Sequence, residues 1–312
     1  MAFAFVFPGQ GSQSIGMLAE LAAAHPQVEA TFRIAGEVLG FDLWDLVQHG
    51  PEEELNRTSN TQPAMLAAGV AVWRVWRANG GALPAVMAGH SLGEYTALVC
   101  AEALRFEDAV ALVAERGRLM QEAVPEGVGA MAAILGLDDE RVRAVCAAAA
   151  QGEVVAAVNF NSPGQVVVAG HATAVERAVE LAKQEGAKRA VRLPVSVPSH
   201  CELMKPAAER LLERLRQIEF HKPLVPVLHN VDVAVHEDAE AIRTALASQL
   251  YSPVRWVETI QAMAARGVSG LVEGGPGKVL VGLNKRISKD MAALAIYDSG
   301  TLSEALANYR ES

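Results

Sequence analysis

Short apolar runs alternate with helical patterns along the first 124 residues of the chain. The run at 3–7 is wholly apolar and ends at Pro8-Gly9, which is typical of a buried strand that enters a loop. A second buried strand is predicted at 85–88. Helices are predicted at about 17–25, 28–39, 62–79, 92–103 and 106–122. This alternation predicts a parallel sheet that is covered by helices on both faces.

The middle of the chain has a different order of elements. Strands are predicted at 129–135, 154–158, 165–169 and 189–195, with helices at 138–150 and 172–185. The order βαββαβ is that of a ferredoxin-like unit, and the turn-forming residues at 159–164 predict its central hairpin connection. We therefore predict a small ferredoxin-like subdomain at 125–198, inserted into a larger hydrolase-like α/β body at 1–124 and 199–312.

The body resumes after the insert with a predicted helix, strand, two helices and a strand, at 203–217, 225–229, 239–250, 253–266 and 270–273. A final helix is predicted to begin near Lys278, after a glycine-rich turn. No apolar run reaches the length of about 18 residues that spans a bilayer, and the first residues lack the basic segment of a signal peptide. We therefore expect a cytoplasmic protein without membrane contact.

Composition and charge narrow the functional classes. Hydrophobic residues make up 51% of the chain, which suffices for a large buried core. The formal net charge of −9 argues against nucleic acid as a partner. The three cysteines are scattered and form no C-x-x-C pair, which fits a reducing compartment and thiols that act as small buried hydrophobic groups. We expect a monomer.

The sharpest chemical signal is the run Gly89-His90-Ser91-Leu92-Gly93, which matches G-x-S-x-G. It lies between a predicted strand and a predicted helix, the context of a nucleophile elbow. The glycines leave room for a tight turn that exposes the Ser91 hydroxyl. The N–H groups at the start of the following helix are free to stabilise an oxyanion.

A serine hydroxyl is a weak nucleophile and needs a base beside it. Of the eight histidines, His200 lies where the insert returns to the body, a position from which it would reach the elbow at the cleft between the two. The pattern alone leaves open the alternative of a loop histidine whose hydrogen bonds are satisfied by backbone groups.

Seven motifs occur in order along nearly the whole chain. They are Phe-Pro-Gly-Gln-Gly-Ser-Gln at 7–13, Gly-His-Ser-Leu-Gly-Glu at 89–94, Arg-Gly at 116–117, Asn-Phe-Asn-Ser-Pro-Gly-Gln at 159–165, Val-Pro-Ser-His at 197–200, Gln-Leu-Tyr-Ser-Pro-Val at 249–254 and Gly-Pro-Gly-Lys at 275–278. In these motifs the chain resembles the malonyl-CoA:acyl carrier protein transacylases of bacterial fatty acid synthesis. The resemblance implies malonyl-CoA as substrate, acyl carrier protein as acceptor, and no cofactor or metal.

The resemblance also implies catalytic roles for particular residues. Ser91 would be the acylated nucleophile, and His200 its general base and acid. The backbone N–H groups of Leu92 and Gln10 would form the oxyanion hole. Because a thioester expels a thiol with a pKa of about 8.5, a good leaving group, His200 would not need the carboxylate of a hydrolase triad.

The remaining implied residues would bind the substrate. Arg116 would pair with the free malonyl carboxylate, for which the planar guanidinium is suited because it donates two parallel hydrogen bonds. Gln249 would orient His200 through its backbone carbonyl, and Asn159 and Gln62 would line the pocket. From the sequence alone, a solvated arginine is the favoured interpretation of Arg116, because Arg118 and Glu115 share its predicted helix.

Acyl carrier protein is acidic, and so is this chain, so a local group of cations is needed for docking. The candidates are Lys188 and Arg189 at the last strand of the insert, with Lys285, Arg286 and Lys289 on the predicted final helix. Ordinary solvated faces are the alternative interpretation.

Three other functions could explain parts of the sequence pattern. A serine esterase or thioesterase is disfavoured because more than a third of the chain follows His200 and no HGGG-type loop precedes Ser91. A non-catalytic carrier-docking module is disfavoured because Ser91, His200 and Arg116 are all present. An acyltransferase for another extender unit in polyketide synthesis stays open, since Val-Pro-Ser-His matches neither the malonyl nor the methylmalonyl motif of those enzymes.

Overall fold

The computed structural model describes residues 2–195 and 197–311. The first part of the body has two strands and seven helices: β1 (Phe3–Phe7), α1 (Ala19–Ala24), α2 (Gln27–Leu39), α3 (Leu43–His49), α4 (Glu52–Leu55), α5 (Thr58–Ala78), β2 (Val86–Gly89), α6 (Gly93–Cys100) and α7 (Phe106–Ala123). Both predicted strands and all five predicted helices are confirmed. The short helices α3 and α4 are missing from the sequence prediction, because so few residues show no clear helical period.

The insert contains β3 (Gly129–Leu135), α8 (Asp139–Ala150), β4 (Val155–Ser162), β5 (Gln165–His171), α9 (Ala172–Gln184) and β6 (Arg189–Arg192). Its four strands form an antiparallel sheet in the order β4-β5-β3-β6, the ferredoxin-like order. The predicted loop at 159–164 is wrong. Strand β4 continues to Ser162 because its backbone groups pair with β5, and only Pro163 and Gly164 form the turn.

The second part of the body follows a single 3₁₀ turn at Glu202–Met204. Its elements are α10 (Lys205–Leu215), β7 (Val227–Leu228), α11 (Ala239–Gln249), α12 (Trp256–Ala265), β8 (Gly270–Gly274), α13 (Val279–Ile287), β9 (Ala292–Ile296) and α14 (Ser299–Asn308). The prediction that α13 is the final helix is wrong, because β9 and α14 follow it. Strand β9 is missing from the sequence prediction because it is an alanine-rich edge strand in which only Ile296 is fully buried.

The five body strands form one parallel sheet in the order β7-β2-β1-β8-β9, which confirms the α/β fold class. The central strand β1 is buried along its whole length. Loops that leave the carboxyl ends of β1, β2 and β7 carry Gln10, Ser91 and Asn230 respectively. Since ligands of parallel sheets bind outside these ends, the topology brings the three residues to one edge.

The insert is fastened to the body beside that edge. Val254 of the body donates its N–H to Val158 O at 2.8 Å and accepts from the N–H of Phe160 at 3.0 Å, so the body adds a short bridge to β4. His90 Nε2 lies 2.8 Å from Asn161 Oδ1. The boundaries 125–198 of the insert stay a prediction. None of the helices in residues 2–195 and 197–311 combines the length and the apolar character that a membrane span requires.

Candidate active site

Ser91 lies on a sharp turn between β2 and α6. Its φ of +51° is in the left-handed region, which is strained for a residue with a side chain. A Cβ at Gly89 would lie 1.8 Å from the carbonyl carbon of Gly93, and a Cβ at Gly93 would lie 2.2 Å from Phe7 O. Asn230, which follows β7, stabilises the turn through two hydrogen bonds. Its Nδ2 donates to Gly89 O at 2.7 Å, and its Oδ1 accepts from the Ser91 N–H at 2.7 Å.

The imidazole of His200 lies against the Ser91 hydroxyl. Its Nε2 is 2.8 Å from Ser91 Oγ, and its Nδ1 is 2.8 Å from the backbone oxygen of Gln249. A carbonyl oxygen only accepts, so Nδ1 carries the proton and the lone pair of Nε2 faces the serine. Burial, with the nearby charge of Arg116 adding to it, lowers the pKa of His200 to about 3. The neutral imidazole is therefore the stable form.

Arg116 of α7 is only 2% exposed, yet its guanidinium reaches the nucleophile. Nη1 donates to Gln62 Oε1 at 2.8 Å; Nη2 donates to Gln249 Oε1 at 3.0 Å and to Ser91 Oγ at 3.3 Å. Burial lowers the pKa of Arg116. Its buried Nε has no hydrogen-bond partner among the described residues. A cation that is held by neutral acceptors and lies beside the reacting hydroxyl is suited to bind a carboxylate.

Two backbone N–H groups near Ser91 are available to an oxyanion. Those of Gln10 and Leu92 donate no hydrogen bond within residues 2–195 and 197–311. Leu92 is the N-cap of α6, and the Gln10 side chain is held by Thr58 Oγ1 at 3.2 Å. The loop that carries Gln10 approaches the elbow closely, since a Cβ on Gly9 would lie 2.5 Å from His90 O.

The other two predicted pocket residues, Gln62 and Asn159, do not contact Ser91 or His200 through hydrogen bonds in the described part of the chain. Gln62 contacts Arg116, as described. Asn159 lies on β4, where its backbone bridges to Val254, and its buried Oδ1 has no partner in the described part of the chain. Asn159 forms no hydrogen bond with Ser91, His200 or Arg116 there.

The five candidate docking cations, Lys188, Arg189, Lys285, Arg286 and Lys289, are all exposed. The two groups lie at the same end of the insert sheet: Arg286 Nη1 donates to Gln165 Oε1 at 2.9 Å, and Leu135 pairs with Gln165 on one side and Arg189 on the other. We call these five residues the basic surface.

Comparison with known proteins identifies the family. The acyl transferase domain family matches residues 4–296. The malonyl CoA-acyl carrier protein transacylase of Salmonella typhimurium is 61% identical over 97% of this chain and 98% of its own, and that of Bacillus subtilis is 47% identical over 99% and 97%.

The chain belongs to the malonyl CoA-acyl carrier protein transacylases of the acyl transferase family.

Solved structures of this transacylase family have the same fold. The transacylase of Coxiella burnetii superposes with a TM-score of 0.98 at 53% identity, covering 100% of this chain and 98% of that one. A malonyl-transacylase in complex with a type II PKS acyl-carrier protein also superposes with a TM-score of 0.98, at 60% identity, covering 99% of this chain and 100% of that one. The resemblance drawn from the sequence motifs is thereby confirmed.

Sequence reasoning missed a set of buried polar residues behind the elbow. Glu94, His229 and Asn230 are fully buried, and the Glu94 carboxylate is hydrogen-bonded to both of the others. Asn230 in turn accepts a hydrogen bond from the Ser91 N–H. One signal was available: His229-Asn230 directly follows the buried strand β7, at the sheet edge where sites of α/β proteins form. In the acyl transferase the pair lies where that rule places a site.

Proposed function

We propose that this chain transfers a malonyl group from malonyl-CoA to the phosphopantetheine thiol of acyl carrier protein, through a malonyl ester on Ser91. The observation that carries the proposal is the buried Arg116 guanidinium, 3.3 Å from the hydroxyl of a Ser91–His200 pair. A hydrolase of uncharged esters has no use for a buried cation at this place, whereas a malonyl thioester supplies its partner.

In the first half-reaction, Ser91 Oγ attacks the thioester carbonyl while His200 Nε2 takes its proton. The N–H groups of Leu92 and Gln10 stabilise the oxyanion, and Arg116 holds the malonyl carboxylate so that the carbonyl lies over Ser91. The tetrahedral intermediate collapses and the C–S bond breaks. The leaving thiolate takes the proton from His200, which leaves malonyl-Ser91 and free coenzyme A.

The second half-reaction runs the same steps in reverse with a different thiol. The pantetheine thiol of the carrier protein gives its proton to His200 and attacks the ester carbonyl of malonyl-Ser91. The C–O bond then breaks, and Ser91 recovers the proton from His200. Because the imidazolium with its low pKa is a strong acid, it returns the proton readily in both halves.

Every proton and every developing charge in this scheme is assigned to a group of the chain, so we propose that turnover needs no metal or organic cofactor. Exhaustive chelation is expected to leave the rate unchanged. We also propose that the enzyme works as a cytosolic monomer.

The test of the proposal is to trap the intermediate. Incubation with malonyl-CoA alone is expected to add one malonyl group to the intact protein, and peptide mapping is expected to place it on Ser91. In Ser91→Ala and His200→Ala the transfer rate is expected to fall by several orders of magnitude, as in other serine enzymes that lose their nucleophile or base. Acylation of a different residue, or near-normal turnover in Ser91→Ala, would falsify the assignment.

A further inference from the structure

The carboxylate of Glu94 lies behind the active site and takes no part in the steps above. It is fully buried in the first turn of α6. Its Oε1 is 2.8 Å from His229 Nδ1, and its Oε2 accepts from the Asn230 N–H at 2.8 Å and from Gln249 Nε2 at 3.0 Å. Burying a carboxylate is costly even when it is hydrogen-bonded, so its presence three residues after Ser91 calls for a physical reason.

The side-chain amide of Gln249 connects Glu94 to Arg116. Its nitrogen donates to Glu94, and its oxygen accepts from Arg116 Nη2 at 3.0 Å. The same nitrogen donates to the backbone oxygen of Ser91 at 3.0 Å. One planar amide therefore joins a buried anion to a buried cation, and hydrogen bonds in such a chain polarise and strengthen one another.

Arg116 has no direct ion-pair partner in the part of the chain that the structure describes. No carboxylate forms an ion pair with it in the described residues, and its hydrogen-bond acceptors are two amides and a hydroxyl. Two groups oppose the fall of the Arg116 pKa through their charge, Tyr95 and Glu94. Tyr95 is neutral at physiological pH, because burial raises its own pKa to about 12. Glu94 is the remaining counter-charge while the pocket holds no substrate carboxylate.

We propose that Glu94 is a positioning residue that balances the charge of Arg116 and holds Gln249 in place, and thereby sets how strongly the pocket attracts a carboxylate-bearing acyl group. The effect on the acyl group rests on the proposed function, whereas the balance of charge between Glu94 and Arg116 does not. Since Glu94 offsets some of the guanidinium charge, it weakens the attraction for the malonyl carboxylate. It also limits the effect of Arg116 on the neighbouring His200, which keeps His200 more basic.

The variant Glu94→Gln isolates the charge. The new amide oxygen can accept from the Asn230 N–H and from Gln249 Nε2, while the new amide nitrogen faces His229 Nδ1. The imidazole can then accept at Nδ1 and carry its proton on Nε2, which has no partner among the described residues. The shape and the hydrogen bonds are kept, and one negative charge is removed.

Binding is measured by calorimetry in a Ser91→Ala background, which prevents acyl transfer. Adding Glu94→Gln is expected to tighten malonyl-CoA binding by about ten-fold and to leave acetyl-CoA binding unchanged, because only malonyl carries the carboxylate. Thr96→Val, two residues further along α6, is the matched control and is expected to change neither. Unchanged malonyl-CoA binding, or an equal change for both thioesters, overturns the proposal. If the Ser91→Ala parent itself shows no preference for malonyl-CoA, the proposed function fails instead.

A stability cycle tests the charge balance without any substrate. Each of Glu94→Gln and Arg116→Gln leaves one buried charge without its counterpart, whereas the double variant removes both. The double variant is therefore expected to have a higher Tm than the two single losses predict by addition. Should Glu94→Gln fail to fold, recovery of a folded double variant supports the proposal. Additive losses, or a double variant that also fails to fold, contradict it.

Discussion

Burial and the nearby charge of Arg116 disfavour protonation of the His200 imidazole and outweigh its hydrogen bond to the Gln249 backbone oxygen. His200 is 3% exposed and lies close to Arg116, and the pKa of the His200 imidazole falls to about 3. Such an imidazole is neutral throughout the physiological range, so it is always ready to accept the proton of Ser91, although it is a weak base. A malonyl carboxylate that pairs with Arg116 cancels part of the charge that depresses His200. Binding of the correct substrate therefore strengthens the base.

This reasoning predicts an unusual pH dependence. The rate at which an uncharged phosphonofluoridate labels Ser91 is expected to stay level through the ordinary histidine pKa of about 6.5 and to fall only as the pH approaches about 3. In Arg116→Ala the fall is expected to begin at higher pH, because the neighbouring positive charge is gone. A wild-type profile centred near 6.5 would show that His200 is not held in its buried, neutral state.

Arg116 is also expected to select the acyl group. Removing one member of a buried ion pair costs about 3–5 kcal/mol, but Gln62 and Gln249 give the guanidinium neutral acceptors when acetyl-CoA is bound. We therefore expect kcat/KM for malonyl-CoA to exceed that for acetyl-CoA by about a hundred-fold, somewhat less than the full penalty implies. Arg116→Ala is expected to lose malonyl transfer and to keep or improve acetyl transfer. A parallel loss of both activities would mean that Arg116 is structural.

At the scale of elements, the elbow depends on two glycines that allow β2, α6 and β1 to approach. A Cβ on Gly89 would overlap the backbone of Gly93, which cannot move without displacing α6. Gly282, in contrast, is an exposed residue of α13, and apart from its chain neighbours and the backbone of its own helix no described heavy atom lies within 4 Å of the position of a Cβ. We therefore expect a methyl group to have opposite effects on stability at Gly89 and at Gly282.

Gly89→Ala is expected to destabilise the fold by at least about 3 kcal/mol and to abolish activity, because a methyl group overpacks rigid backbone. Gly282→Ala is expected to stabilise it by about 0.5–1 kcal/mol, because alanine is favoured over glycine inside a helix. Urea unfolding measures both. A Gly89→Ala protein with the wild-type midpoint would show that the elbow can relax more than its packing suggests.

Elements with many residues and a clear period were predictable from the sequence; elements defined by tertiary contact were not. Strand β1 is predictable because all of its residues are apolar. The end of β4 is not predictable, since Asn159 and Asn161 favour turns and are held extended only by pairing with β5. The same limit applies to the site: the G-x-S-x-G pattern marks Ser91, whereas the link between Glu94 and Gln249 joins residues 155 positions apart and has no local signal.

At the scale of the whole molecule, the active site is assembled where the chain passes between the body and the insert. Arg116 lies on α7, the last helix before the insert, and His200 follows the insert directly. Strand β4 of the insert bridges to Val254, five positions after Gln249. We therefore expect catalysis to depend on a fixed position of the insert, because a shift of the insert would move His200 or the segment that orients it.

The basic surface extends across the insert and α13 and so offers an acidic carrier protein a single docking face. We propose that it guides acyl carrier protein toward Ser91. Lys285→Glu combined with Arg286→Glu is expected to raise KM for the carrier protein by about ten-fold and to leave KM for malonyl-CoA unchanged, because charges at the rim of an interface act mainly on encounter. The difference between variant and wild type is expected to shrink at high salt.

The matched control for this test reverses two exposed cations outside the basic surface, Arg105→Glu at the start of α7 with Arg216→Glu at the end of α10. It changes the net charge of the enzyme by the same amount. If docking depended only on overall charge, the control would raise KM for the carrier protein as much as the variant does, since the enzyme is already acidic. A local docking face predicts that the control leaves it near the wild-type value. Equal effects of the two double variants, or an equal rise of KM for both substrates, would contradict docking at the basic surface.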